Sequence, residues 1–198
     1  VVAPPAHQGL GPGEAAAGFA HLGLVVDLDA AGGQGAAQAL RALHGVFALH
    51  PGQYALALPD YPRSFPRLRV FAASREALDQ LVSATETHPA FAEGADKIAR
   101  FAYPKAVPDA FAGPWLSYRR YRIPSRKAER KPDGNLRLRR IQAADAAELP
   151  YFALHSRSNG QAWRLYVQAQ PSPAPGQAEP DAYGLATASR PFALPSLP

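Results

Sequence analysis

Apolar residues in this chain fall into two periodicities. "HLGLVVDLDA" (21–30) is a short β-branched run, and "QYALALPD" (53–60) and "RLRVFAAS" (67–74) alternate at the two-residue period of half-buried strands. Between them, "AAQALRALHGVFALH" (36–50) places Ala36, Leu40, Leu43 and Phe47 three to four residues apart, the stripe of an amphipathic helix. The preceding "AGGQG" reads as a Gly-rich turn. Ser74 stands at an N-cap position ahead of "REALDQLVSA", where Leu78, Leu81 and Val82 make a second buried stripe. "KIARFAYPKAV" (97–107) adds a fourth strand. The predicted order is β-α-β-β-α-β, the ferredoxin-like arrangement, within residues 20–110.

The second half is patterned differently. After the Pro- and Gly-containing linker "PDAFAGP", the stretch "LPYFALHSRSNGQAWRLYV" (149–167) sets two strand-like runs around a polar string. It predicts a β-hairpin over 149–168 with Asn159-Gly160 as a tight turn. "PSPAPGQAEP" must be an irregular loop, and "DAYGLATASRPFALP" closes the chain. The expectation is therefore an α+β protein. A flexible leader (1–19) precedes a ferredoxin-like domain (20–110) and a smaller, arginine-rich, hairpin-containing C-terminal region (111–198). The leader lacks the basic start and apolar middle of a signal peptide.

Composition changes this picture in two places. No apolar run approaches the ~20 residues of a membrane span, and the complete lack of cysteine removes disulfides, thiolate metal sites and a Cys nucleophile. A cytoplasmic setting is the expectation. Charge is uneven. Residues 117–142 hold ten cationic side chains against Glu129 and Asp133, a net +8, while the whole chain is +5, so the remainder carries −3. A mildly acidic body with one cationic segment is the footprint of a polyanion partner. Tyr118 and Tyr121 interleave the arginines, which favours nucleic acid over an acidic lipid surface.

Candidate chemistry is sparse. "LDAAGGQGAAQ" sits where a dinucleotide fingerprint would, but Gln38 occupies the place of its third glycine, so an ordinary turn is expected. No His, Asp or Glu cluster has metal-ligand spacing. Among the histidines at 7, 21, 44, 50, 88 and 155, His44 stands out near the end of the first helix, beside Leu40 and Phe47 and just before Gly45. There an imidazole would be half-buried and able to transfer protons. A residue at the core edge would look the same. Ser156 and Ser158 lie two apart, hence on one face of a regular strand. Without a GxSxG elbow, positioning a ligand suits them better than nucleophilic attack, with loop solubility as the plain alternative.

Together, "LPYFALHSRSNGQAWRLYV", the later "AYGLA", the helix "ALRALHGVF" and "SYRRYRIPSR" resemble the CRISPR repeat-processing (pre-crRNA) endoribonucleases of the type I-F kind. The resemblance runs from about residue 20 to the end, and it implies a ferredoxin-like N-terminal domain. It implies that His44 is the general base, that Ser156 holds the nucleophilic ribose, and that Tyr183 orients the histidine, with Ser158 lining the pocket. Arg120 and Arg122 would reach base edges. Arg119 and a phosphate-binding set of Arg126, Lys127, Arg130, Lys131, Arg137, Arg139 and Arg140 would complete the RNA contacts. One departure is visible: "ERKPDGNLRLRR" interrupts the family's long arginine helix at Pro132-Asp133-Gly134, so a shorter helix or a loop is expected.

RNA brings its own nucleophile, the 2′-hydroxyl, so this inventory needs neither metal nor cofactor. The implied substrate is a CRISPR repeat stem-loop, cut at the base of its stem to a 2′,3′-cyclic phosphate and a 5′-hydroxyl. The product would be retained as part of a guide-RNA complex with other effector subunits. The rival readings are a non-cleaving RNA cap, a type IV relative, and a basic ferredoxin-like protein bound to ribosomal RNA.

Overall fold

The computed structural model describes residues 23–63, 65–124, 135–156, 160–176 and 178–198. The leader expected at 1–19, His7 and His21, the Pro132-Asp133-Gly134 interruption, and Arg126, Lys127, Arg130, Lys131 and Ser158 lie outside the described residues.

The architecture is mixed α+β with two antiparallel sheets. The first half contains β1 (Leu24–Ala30), α1 (Gly32–Leu49), β2 (Tyr54–Ala57), β3 (Arg67–Ala72), α2 (Arg75–Glu86), α3 (Pro89–Ala92), β4 (Ile98–Phe101) and β5 (Lys105–Ala106). Its strands lie in the order β2-β3-β1-β4, each antiparallel to its neighbour, with β5 also paired to β1. The second half contains β6 (Trp115–Tyr121), α4 (Leu136–Ala146), β7 (Tyr151–His155), β8 (Ala162–Ser172) and β9 (Leu194–Pro195), the strands ordered β7-β8-β6-β9. No helix among the described residues is long and apolar enough to cross a membrane.

Helix α1 organises the packing. It touches β1 and β4 on one side and β7 of the second sheet on another. Being covered from several directions, it buries nine residues, among them Ala36, Leu40, Leu43 and Phe47, a wider stripe than a surface helix shows. Along β7, Phe152 and Leu154 point inward while Tyr151, Ala153 and His155 are exposed, the two-residue period of a half-buried strand. Phe152 stacks on Phe65 from the first half, ring centroids 4.3 Å apart. One apolar cluster thus joins Leu28, Leu43 and Phe71 to Phe152, Leu165 and Leu194. Each fully buried side chain of this size is worth about 1.5–3 kcal/mol.

Local expectations were met at Ser74, whose side chain caps α2 by accepting from the Ala77 N–H at 3.2 Å. Several boundaries differ. The glycines of "AGGQG" do not form a turn: α1 begins at Gly32, and Gly35 is buried in its first turn. A Cβ on Gly35 would lie 2.5 Å from the Lys97 carbonyl oxygen, so the helix can approach that backbone only where there is no side chain. The strand expected at 53–60 is reduced to β2, and the one at 67–74 ends at Ala72. The strand expected at 97–107 is split into β4 and β5 around Pro104, which has no N–H for a ladder. Gly45 does not end α1, which continues to Leu49, so His44 leaves the side of the helix and not its end.

In the hairpin, β7 and β8 pair from Tyr151↔Tyr166 to His155↔Ala162. Asn159 of the expected Asn-Gly turn lies outside the described residues. The Ser156 N–H donates to the Gln161 carbonyl and the Gly160 N–H to the Ser156 carbonyl, both at 2.9 Å, and Gly160 adopts φ +65°. β8 also runs on to Ser172 into the segment expected to be irregular. Pro171 is tolerated there because β7 has ended, and β8 faces only Leu116 of β6 at that point.

Candidate active site

The site forms where α1, the β7–β8 hairpin and the segment 181–185 meet. His44 is half-buried on α1. Its ring lies flat on Tyr183, with centroids 4.1 Å apart and planes 9° from parallel. His44 Nδ1 sits 2.6 Å from the Ala182 carbonyl oxygen. A carbonyl can only accept, so Nδ1 carries the proton, and in the neutral ring Nε2 is left with a free lone pair. That is the tautomer a general base requires.

The loop that delivers Ala182 and Tyr183 is built by Asp181. Its carboxylate accepts from the N–H of Tyr183 at 2.8 Å and of Leu185 at 3.0 Å, an Asx-type turn. Gly184 then docks the loop on the core. It has φ +74°, its carbonyl accepts from the Leu56 N–H at 2.8 Å, and a Cβ there would lie 2.8 Å from the Phe47 ring. Burial raises the Tyr183 phenol above its ordinary value; Arg120 opposes the rise and Asp181 adds to it. Tyr183 is accordingly a neutral ring at ordinary pH.

Ser156 follows β7 directly. The alternation that turns Phe152 and Leu154 inward carries Ser156 to the same side. His44, Ser156 and Tyr183, from three distant parts of the chain, line one cavity of about 510 Å³, together with Arg41, His88, Leu154, His155 and Trp163. His50 is elsewhere, edge-on to Tyr54 at the end of α1. Among the described residues no three His, Asp or Glu side chains gather as metal ligands.

Among the described residues, the arginines of the cationic segment lie on or beside two elements. Arg119 and Arg120 are on β6, Arg122 follows it, and Arg137, Arg139 and Arg140 are on α4. Arg119, Arg120, Arg122 and Arg140 line a second cavity of about 890 Å³, with Arg190. Arg140 lies over Tyr121, 3.9 Å from its ring centroid, and donates to the Arg122 carbonyl at 3.4 Å. Arg120 links the two cavities. It pairs with Asp181 at 3.8 Å and lies 5.4 Å from the Tyr183 centroid and 5.8 Å from that of Trp163. The interrupted segment does carry a short helix, α4, in which only Ala144 is buried.

Comparison with known proteins bears on what this arrangement is for. Residues 36–196 match the family model described as CRISPR-associated protein (Cas_Csy4). The chain belongs to this family. Cas_Csy4 proteins are the type I-F CRISPR repeat-processing endoribonucleases, and the family binds CRISPR repeat RNA. No curated protein sequence matches the chain. Within this Cas_Csy4 chain, reasoning from sequence missed Asp181, Gly184, Arg41 and Trp163. Asp181 two residues before Tyr183 was a readable turn signal, and Arg41 three residues before His44 a readable same-face position. Trp163 carried no local signal, because its place in the cavity depends on the hairpin register.

Proposed function

We propose that the protein cuts a CRISPR repeat stem-loop at the base of the stem, without a metal ion, by attack of a ribose 2′-hydroxyl on the adjacent phosphate. It works in the cytoplasm, where repeat transcripts are made, and it keeps the product as a subunit of a guide-RNA complex. The observation that carries this reading is the orientation of His44, with Nδ1 tied to Ala182 and the ring stacked on Tyr183, in the same cavity as Ser156.

In this reading Nε2 of His44 takes the 2′-hydroxyl proton, worth about 10²–10⁴-fold in rate. Ser156 holds the sugar so that the oxygen attacks in line with the leaving 5′ oxygen. The products are a 2′,3′-cyclic phosphate and a 5′-hydroxyl. Arg120 and Arg122 read base edges where the groove opens at the stem end, while Arg137, Arg139 and Arg140 of α4 hold phosphates. The N-terminal part is a ferredoxin-like domain, a reading supported by the β2-β3-β1-β4 order with antiparallel neighbours. It supplies the base, and the C-terminal region supplies the clamp and the RNA face.

The test is incubation with the repeat RNA of the same genome in EDTA, with product termini mapped, for the wild type and His44→Ala. Cutting by the wild type together with binding but no cutting by His44→Ala supports the reading. Binding without cutting by both makes the protein a cap, and wild-type cutting that stops in EDTA removes the metal-free mechanism.

A further inference from the structure

We infer that Arg41 is a further catalytic residue, a cation that meets the scissile phosphate inside the His44 cavity; this rests on the cleavage mechanism proposed above. Arg41 precedes His44 by three residues on α1, so the two project from the same side of the helix. Both line the cavity that holds Ser156 and Tyr183. Among the described residues lining that cavity, Arg41 is the one with a permanent positive charge. Arg119, Arg120, Arg122 and Arg140 line the other cavity, where a stem would lie.

The chemistry calls for such a charge. As the O2′–P bond forms and the P–O5′ bond breaks, negative charge builds on the phosphoryl oxygens. The 2′-hydroxyl proton goes to His44, the departing 5′ oxygen takes a proton from water, and His44 returns its own to solvent, so no co-reactant is consumed. Neither His44, once it has accepted a proton from the attacking oxygen, nor the Ser156 hydroxyl is a fixed cation aimed at those phosphoryl oxygens. A guanidinium fork matches their geometry and is most effective where water is excluded.

Arg41 is held ready by a weak partner. It pairs with Glu93 at 3.4 Å, the side chains being 24% and 51% exposed. With half of the Glu93 side chain open to water, the pair is weak and a phosphate can take the place of that carboxylate. Glu93 is the C-cap of α3 and does not line the cavity. The competing account is structural, in which the Arg41–Glu93 pair merely ties α3 to α1.

Single-turnover cleavage of the repeat stem-loop in EDTA separates the two accounts. It should be measured for wild type, Arg41→Ala, Arg41→Lys and Glu93→Gln, with affinity taken on the same RNA carrying a 2′-deoxy nucleotide at the cut. Arg41→Ala is expected to slow cleavage about 10²-fold while affinity barely moves. Arg41→Lys should restore part of the rate, and Glu93→Gln should cut at the wild-type rate or faster. Wild-type cleavage by Arg41→Ala overturns the proposal. So does an equal loss in Arg41→Ala and Glu93→Gln, or an affinity loss as large as the rate loss. If Arg41→Ala fails to fold by thermal melting, the comparison of Arg41→Lys with Glu93→Gln decides. A wild type that binds without cutting removes the cleavage reading and Arg41 with it, whereas cleavage indifferent to Arg41 removes this proposal alone.

Discussion

Nδ1 of His44 meets the carbonyl oxygen of Ala182 at 2.6 Å, across 138 positions of sequence. That hydrogen bond selects the imidazole tautomer, and the neighbouring Tyr183 ring fixes its plane. The base proposed for cleavage is thus held by a backbone carbonyl, and the loop carrying that carbonyl is positioned by Asp181 and Gly184. Small changes in this loop should act on chemistry before they act on RNA binding.

Gly184→Ala tests the loop. The added Cβ would strike Phe47 and Leu56 at a backbone angle that suits glycine, so destabilisation of about 1–3 kcal/mol is expected. The cleavage rate should fall more than the affinity, because Ala182 and Tyr183 move together. Thermal melting and single-turnover rates check this, and an unchanged rate would separate the loop from catalysis.

Tyr183 contributes its ring. It stacks on His44 and meets Trp163 edge-on, centroids 6.0 Å apart. Tyr183→Phe should retain nearly the wild-type rate. Tyr183→Ala should lose about tenfold, the worth of an aromatic contact. A Phe variant as slow as the Ala variant would show that the hydroxyl takes part.

The two arginine groups should behave differently. Removing exposed Arg139 should weaken binding to all stem-loops alike and lower the salt slope by about one. Arg120→Ala should cost about 1–3 kcal/mol of discrimination between stems. It should also slow cleavage, since Arg120 touches Asp181 and Tyr183. Binding isotherms at several salt concentrations on cognate and altered stems distinguish them; equal salt slopes for both variants would contradict the division.

Alkaline pH should unfold the protein. Burial is the main cause raising the phenols of Tyr54, Tyr118, Tyr166 and Tyr183. The folded state then keeps protons that the unfolded chain releases near pH 10, so this stability is complete below about pH 10 and declines as pH rises further. Melting temperature followed from pH 8 upward should be level at first and then fall. A melting temperature that rose above pH 10 would contradict the sign.

Much of the fold was open to inspection in the chain because its causes are local. Helical and alternating periodicities located α1, α2, β3 and the hairpin, and Ser74 announced its cap. The concentration of arginine in 117–142 pointed to a polyanion, and the quoted hairpin and "AYGLA" pointed to the family that the comparison bears out. Boundaries were less visible. The glycines at 32–35 looked like a turn because glycine is a weak helix former, yet close approach to Lys97 makes a bare Cα necessary inside the helix. Pro104 divided a strand whose apolar pattern ran straight through it.

Residue order thus contained the elements, the cationic segment and the chemical inventory, since each depends on neighbours a few positions apart. The meeting of His44, Ser156 and Tyr183 was implied by the family resemblance alone and by no periodicity, and neither the tautomer of His44 nor the separation of Arg41 from the other arginines was contained there. Those follow from packing α1 against both sheets, which brings groups more than a hundred residues apart within a few ångströms, and no periodicity along the chain encodes such distances.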